Sequence, residues 1–554
     1  MGNHTTLPLD LKEVDLIVAG GGTADCIIAS RLADADPRLS ILVVESGRDN
    51  YNVPSVIHPV LWQGNFAPDE PRVFFHRAAK EEQLADREFL VEVGNTLGGG
   101  SSVSLMMYMG GHRCDYDSWN TRGWTADDLW PYLRKFETYH GLGREEHHGY
   151  DGPIQVSGGP FRSVEAENGS ITAMREVGYH EVEDLQDLQS IGVARILKYV
   201  SPQGQRQDVA HTYLHPRLQD GRHPNLHVLV ESQIVRVIFD GSRRTSGVEF
   251  RPNPAMQSNP VGDPGKKTVR ARKLVVLSCG TLGTPPILER SGAGSPEILK
   301  QAGVPLIANL PGVGRDYQDH NLSLYVYKAD LPPEATTDGI HTGQVDISTL
   351  LVSKEKVLGW NGIDASSKIR PTSTELSELG PAFREIWDRD FEGASGKPLI
   401  SMVSGAGLLG DRSRVRPGQY FSVGVYTAYP YSRGHEAAYV LETAEDGMPL
   451  APSALQNLEY APEDDAAIED WIRHNITTCW HGIGTCKMAP KEQLGVVDEH
   501  LGVHDVHGLK VADLSIAPEN DCANTMNTAL AIGEKAADIF IQELGLGQSE
   551  RSAE

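Results

Sequence analysis

Residues Val14 to Leu32 read VDLIVAGGGTADCIIASRL. Leu16-Ile17-Val18-Ala19 is a short apolar run suited to a strand buried on both faces. Gly20, Gly21 and Gly22 follow as a tight turn, and Ile27, Ile28, Ala29 and Leu32 then recur at helical spacing. Strand, glycine turn and helix make the first half of an α/β dinucleotide-binding unit of the Rossmann type. In such a unit the backbone at Gly20, Gly22, Thr23 and Ala24 approaches a pyrophosphate, whose charge sits against helix amides and the positive dipole end.

One position breaks the pattern. Asp25 stands where Gly-x-Gly-x-x-Gly has its third glycine. Its Cβ would crowd the helix–strand contact, and a unit charge ~5.5 Å from the pyrophosphate at an effective dielectric of ~20 costs roughly 3 kcal/mol. The cost shrinks if the carboxylate turns outward or caps the helix, where acids are favoured.

Moving outward, Ser40 to Val44 is a second apolar strand ending in Glu45, placed to take the ribose hydroxyls of an adenine dinucleotide. Gly94-Asn95-Thr96-Leu97-Gly98-Gly99-Gly100-Ser101-Ser102 is a second anion-friendly turn, with Gly98, Gly99, Ser101 and Ser102 as candidate cofactor contacts. Two such loops suit a large dinucleotide better than NAD alone.

Five ordered motifs then carry a resemblance. LGGGSSVSLMMY at residues 97–108, Gly280 to Gly294, Leu310 to Arg315 with Asp319-His320, Lys510 to Pro518, and the ALAIGEKAADI helix at 529–539 resemble the glucose–methanol–choline (GMC) flavin oxidoreductases. The wording around TTCWHGIGTCKMAP and VADLSIAPENDCANT is most similar to that of fungal, methanol-type alcohol oxidases. The resemblance implies a Rossmann-like FAD-binding domain with a discontinuous α+β substrate domain built on an antiparallel sheet. It divides the chain into FAD-binding segments at 13–155, 201–324 and 463–545, substrate segments at 156–200 and 325–462, and a disordered tail at 546–554. It places the Ile234 backbone at the adenine, and Asp513, Asn524 and Thr525 at the flavin end. Val103 stands where some members attach flavin through histidine, which implies non-covalent FAD.

The chemistry centres on Asn475 to Cys486 and on Asp521-Cys522-Ala523-Asn524-Thr525. Alcohol oxidation needs a base for the hydroxyl proton, an acceptor for hydride and a polar group that orients the oxygen; an imidazole of near-neutral pKa suits the first task. By resemblance His481 is the base and Asn524 the orienting partner, and the product is an aldehyde or ketone with oxygen as the reoxidant. Two alternatives stay open: a GMC-fold cyclase or dehydratase without net redox, and an FAD-poor inactive homologue. His147 and His148 lie in a charged loop and read as solvated.

Composition narrows the field. The chain has 554 residues, 40% apolar and 23% charged, more than one ordinary core. A net charge of −25 argues against nucleic acid and against an anionic membrane surface, and fits a neutral or a cationic substrate equally well. Apolar runs are too short for a transmembrane helix. The start has no signal-peptide pattern and Arg551-Ser552-Ala553-Glu554 is no peroxisomal tripeptide, so a cytoplasmic location is expected. The six scattered cysteines form no zinc or disulfide pattern, and Gly-x-Ser-x-Gly is absent.

Overall fold

The computed structural model describes residues 7, 11–67, 69–143, 145–256, 265–435 and 465–547. The expected tail beyond 547 and the end of the second substrate segment lie outside the described residues.

The first sheet is built around Glu13–Ala19, whose residues Leu16 to Ala19 have no solvent exposure. Ile41–Val44 lies parallel on one side, followed by Leu226–Leu229. On the other side runs the long strand Lys267–Leu277, also parallel. Apolar runs of Val, Ile and Leu are what a strand covered on both faces requires. The long strand branches the sheet. Its first half pairs antiparallel with Thr245–Pro252, which pairs with Ser232–Phe239, while Val275 to Leu277 pair in parallel with Leu509–Val511.

Helix Thr23–Ala35 covers one face and packs along the long final helix Met526–Glu543. The contact is close because Gly533 faces Ala24; a Cβ there would sit 3.1 Å from the Ala24 Cα. Ile27, Ile28 and Leu32 are fully buried, each worth roughly 1.5–3 kcal/mol. Arg31 pairs with Glu534, which also accepts from the Tyr213 hydroxyl at 2.7 Å. The first helix is thus tied to the last.

The second sheet is antiparallel. In spatial order its strands are Thr477–Thr478, Asn321–Ala329, Gln419–Thr427, Ile400–Gly405, Ile363–Ile369 and Gly192–Arg195. Its alternating burial along 400–405 and 419–427 fits a sheet with one face on the core. Its first edge, where Asn321 pairs with Thr478, leads straight into the loop bearing His481.

One expectation is corrected here. His148 is not solvated: it is wholly buried, stacked on Tyr139 at 3.4 Å between ring centroids. Its Nδ1 lies 3.2 Å from Glu137 and its Nε2 3.1 Å from Asp184. Burial opposes the charge, but the two carboxylates outweigh it and raise the imidazole to about 9. A charged loop folded its histidine inward because two acids were there to meet it.

Candidate active site

His481 is placed by a strand pairing that goes out of step. Asn321 faces Thr478, and Gln318 bridges to Ile483. Two residues on one limb therefore oppose four on the other, and the extra residues arch out as a bulge. Trp480 takes the left-handed conformation (φ 59°) that the arch needs. Asp319 holds the arch: its carboxylate accepts from the His481 amide at 2.9 Å, from the Tyr317 hydroxyl at 3.0 Å and from the Thr478 hydroxyl. The Thr281 hydroxyl donates to the Gly482 carbonyl at 2.7 Å, fastening the arch to the Gly280–Gly294 motif.

The imidazole is 7% exposed and meets two partners. Its Nε2 lies 3.1 Å from Asn524 Nδ2, and its Nδ1 lies 2.8 Å from His320 Nδ1. His320 is fully buried and stacks on Tyr426 with centroids 5.4 Å apart. Burial, and then the neighbouring His320, push His481 well below the ordinary histidine value. The sequence-based expectation of a near-neutral base is thereby altered: His481 is held neutral, because no anion compensates its charge at the ring. Asn524 precedes the N-terminus of Met526–Glu543, and its Oδ1 is buried without a partner.

The residues expected around the dinucleotide fall into two groups. The glycine turns come together. Gly20 has φ 118°, and a Cβ there would lie 2.5 Å from the Ser278 carbonyl. The Gly98 amide donates to the Gly21 carbonyl at 2.7 Å, and the Thr23 hydroxyl donates to the Gly98 carbonyl at 3.3 Å, so the two loops are stitched together. A Cβ on Gly99 would lie 2.9 Å from the Gly22 Cα. The amides of Thr23 and Ala24 open the helix, where no intrahelical acceptor exists.

The other group is engaged within the protein. Ser101 donates to the Gly98 carbonyl at 2.6 Å and Ser102 to the Leu97 carbonyl at 2.8 Å, shaping their own loop. Glu45 accepts from the Gly21 amide at 2.7 Å through one oxygen and from the Gly47 amide at 2.7 Å and the Ser46 hydroxyl at 3.3 Å through the other, which leaves a further lone pair on the first. Ile234 pairs with Phe250, two residues beyond the Ser232 amide that donates to the Glu45 carbonyl. Asp513 accepts from the Gly280 amide at 2.9 Å and the Thr284 hydroxyl at 2.7 Å. Asp25 caps its helix: the carboxylate accepts from the Gly22 amide at 2.8 Å, and its second oxygen is buried unpaired. Burial raises all three acids, and Asp25 is raised further by Asp513 and Glu45.

With this geometry in view, the relatives of the chain are informative. The GMC oxidoreductase N-terminal model matches residues 14–322 and the C-terminal model matches 434–533. The chain belongs to the GMC oxidoreductase family. The alcohol oxidase of Candida boidinii is 33% identical, over 98% of this chain and 97% of its own length. Alcohol oxidase 1 of Komagataella phaffii is 32% identical, over 96% of each chain. Both alignments run longer than this chain, so these relatives carry segments it lacks. An FAD-dependent oxidoreductase structure from Chaetomium thermophilum superposes with a TM-score of 0.78 at 24% identity, covering 96% of this chain and 100% of that one. The fold is the GMC fold, and this GMC oxidoreductase is a flavin-dependent alcohol oxidase or dehydrogenase.

The residues fit FAD. The stitched glycine loops offer backbone to a pyrophosphate, a Cβ at Gly100 or Gly280 would meet open space, and Asn524 keeps a buried unpaired oxygen. Among the described residues no cluster of His, Cys, Asp or Glu could hold a metal. No described helix is long and apolar enough to cross a membrane.

His320 is the functional neighbour that sequence reasoning passed over. It lies within the Asp319-His320 stretch that resembles the family, but the pairing that sets it against His481 spans 161 positions of sequence.

Proposed function

We propose that this GMC oxidoreductase oxidises an alcohol on a small or medium-sized metabolite, a primary one to the aldehyde in preference to a secondary one to the ketone, with non-covalent FAD and with O2 as the reoxidant, giving H2O2. The observation that carries the reading is the 3.1 Å contact between His481 Nε2 and Asn524 Nδ2. An alcohol hydroxyl entering between them donates to His481 Nε2 and accepts from Asn524 Nδ2. His481 takes the hydroxyl proton at Nε2, and Asn524 fixes the oxygen so that the carbinol carbon has one orientation. When bound, the flavin supplies the two-electron acceptor for the hydride from that carbon. Gly20, Gly22, Thr23, Ala24, Gly98 and Gly99 hold the pyrophosphate by backbone, Ser101 and Ser102 keep the second loop in shape, and Glu45 faces the ribose. Ile234 meets the adenine, and Asp513, Asn524 and Thr525 the flavin end. The expected division into three FAD-binding and two substrate segments is part of the same reading.

Support for oxygen comes from relatives named alcohol oxidase and oxygen-dependent choline dehydrogenase. A non-redox reading loses its main ground, because Asp25 serves as a helix cap.

The test is the visible spectrum of the purified protein. Primary alcohols added anaerobically should bleach the flavin bands, and air should restore them with one H2O2 per alcohol. Bleaching that air does not reverse overturns oxygen as the acceptor. His481→Gln should keep the bands and lose the bleaching; retained bleaching overturns His481 as the base.

A further inference from the structure

We propose that His320 is a positioning residue that makes the base a pair of imidazoles, holding His481 in one tautomer and receiving its Nδ1 proton when the alcohol is deprotonated. The proposal rests on the reading of His481 as base.

The donors set the protonation pattern. Asn524 Nδ2 only donates, so His481 Nε2 is an acceptor and its ring proton is on Nδ1. That proton points 2.8 Å away at His320 Nδ1, which must then be the acceptor. The His320 proton therefore sits on Nε2, which is buried with no hydrogen-bond partner among the described residues. The order Asn524, His481, His320 is consistent at both of its links. It leaves the one basic lone pair of His481 on the atom facing Asn524.

A lone buried imidazole would be a poor proton acceptor, since no carboxylate touches its ring. The Asp319 carboxylate is spent on the His481 amide, Thr478 and Tyr317. The other titratable groups facing the pair are Tyr426, stacked on His320, with Cys479 and Asp521 behind it, and Asp115 at greater range. Cys479 and Tyr426 are held neutral by burial, and burial also raises Asp521, to about 6. When Nε2 takes the hydroxyl proton, the Nδ1 proton crosses 2.8 Å to His320. One O–H bond breaks, one Nε2–H bond forms, one Nδ1–H bond is exchanged, and the cation ends on His320 beside Asp319. His481 is neutral again while the carbon–hydrogen bond breaks.

The experiment uses the FAD-loaded protein labelled with 15N in its histidine rings, in wild type, His320→Phe, His320→Asn and His481→Gln. Ring-nitrogen shifts should show His481 protonated at Nδ1 and His320 at Nε2; the reverse tautomers overturn the proposal. In His320→Phe, which keeps ring volume against Tyr426 but has no acceptor, the Nδ1-protonated signal of His481 should be lost. The kcat/KM should fall about a hundredfold, because the Nδ1 proton then has no acceptor, and its acid limb should move up in pH, because the imidazole that holds His481 down is gone. His320→Asn restores a hydrogen-bond acceptor but no basic site, so the Nδ1-protonated His481 signal should return while kcat/KM stays low; full recovery of the rate overturns the proton transfer to His320. An unmoved limb with an unchanged His481 signal in His320→Phe overturns the dyad. If that holds while His481→Gln is inactive, the base assignment survives alone; an active His481→Gln refutes the base itself.

Discussion

The Asp25 carboxylate accepts from the Gly22 amide at 2.8 Å, so the residue that breaks the glycine fingerprint closes the turn from within. Burial and the nearby Asp513 raise its pKa, and a raised acid costs folded-state stability as pH climbs from the unfolded carboxylate value to the folded one. Asp25→Asn keeps an acceptor for Gly22 and removes the ionisation. Its melting temperature should exceed that of wild type at pH 8 and by less at pH 5. FAD affinity, followed by fluorescence, should weaken with rising pH in wild type and stay flat in the variant.

Asp319 offers a second handle. Asp319→Ala leaves the His481 amide without its acceptor and frees the arch that aims the ring. A loss in kcat of about a hundredfold is expected with FAD content unchanged, since small misplacements of a catalytic group cost that much. Stopped-flow flavin reduction with a primary alcohol checks it.

Asn524→Ala removes the group set opposite His481 Nε2. Steady-state kcat/KM should fall by about a hundredfold or more while the flavin spectrum persists.

His148 predicts a pH signature of stability far from the chemistry. Its folded value of about 9 lies above the unfolded value near 6.5. The stabilisation, about 3 kcal/mol, is complete below the unfolded value and is lost as pH rises through the folded one. The melting temperature of wild type should therefore fall between about pH 6.5 and about 9, the window those two values set. His148→Gln should be less stable at pH 6.5 and show a flatter profile.

Much of this was legible in the sequence because it is local. Leu16 to Ala19 announced a doubly covered strand by composition alone, and the bend after it required Gly20. His481 and Asn524 carried their meaning in short motifs. The rest depended on distant pairing. Nothing near His148 in the chain says that Asp184 will be brought to its ring, and nothing in Asp319-His320 says which histidine will face it. Asp25 misled for a different reason: charge was legible, but the direction of a side chain depends on the capping geometry of the helix it opens.

The branched strand Lys267–Leu277 also constrains how the chain is made. Its final three residues have Glu13–Ala19 on one side and wait for Leu509–Val511 on the other. On the ribosome, the nucleotide sheet therefore keeps an open edge until nearly the whole polypeptide has emerged, and such edges recruit other strands. Non-local closure of this kind is slow. A chain truncated before residue 509 would expose that edge permanently, so late nonsense mutations should yield aggregates rather than a smaller enzyme.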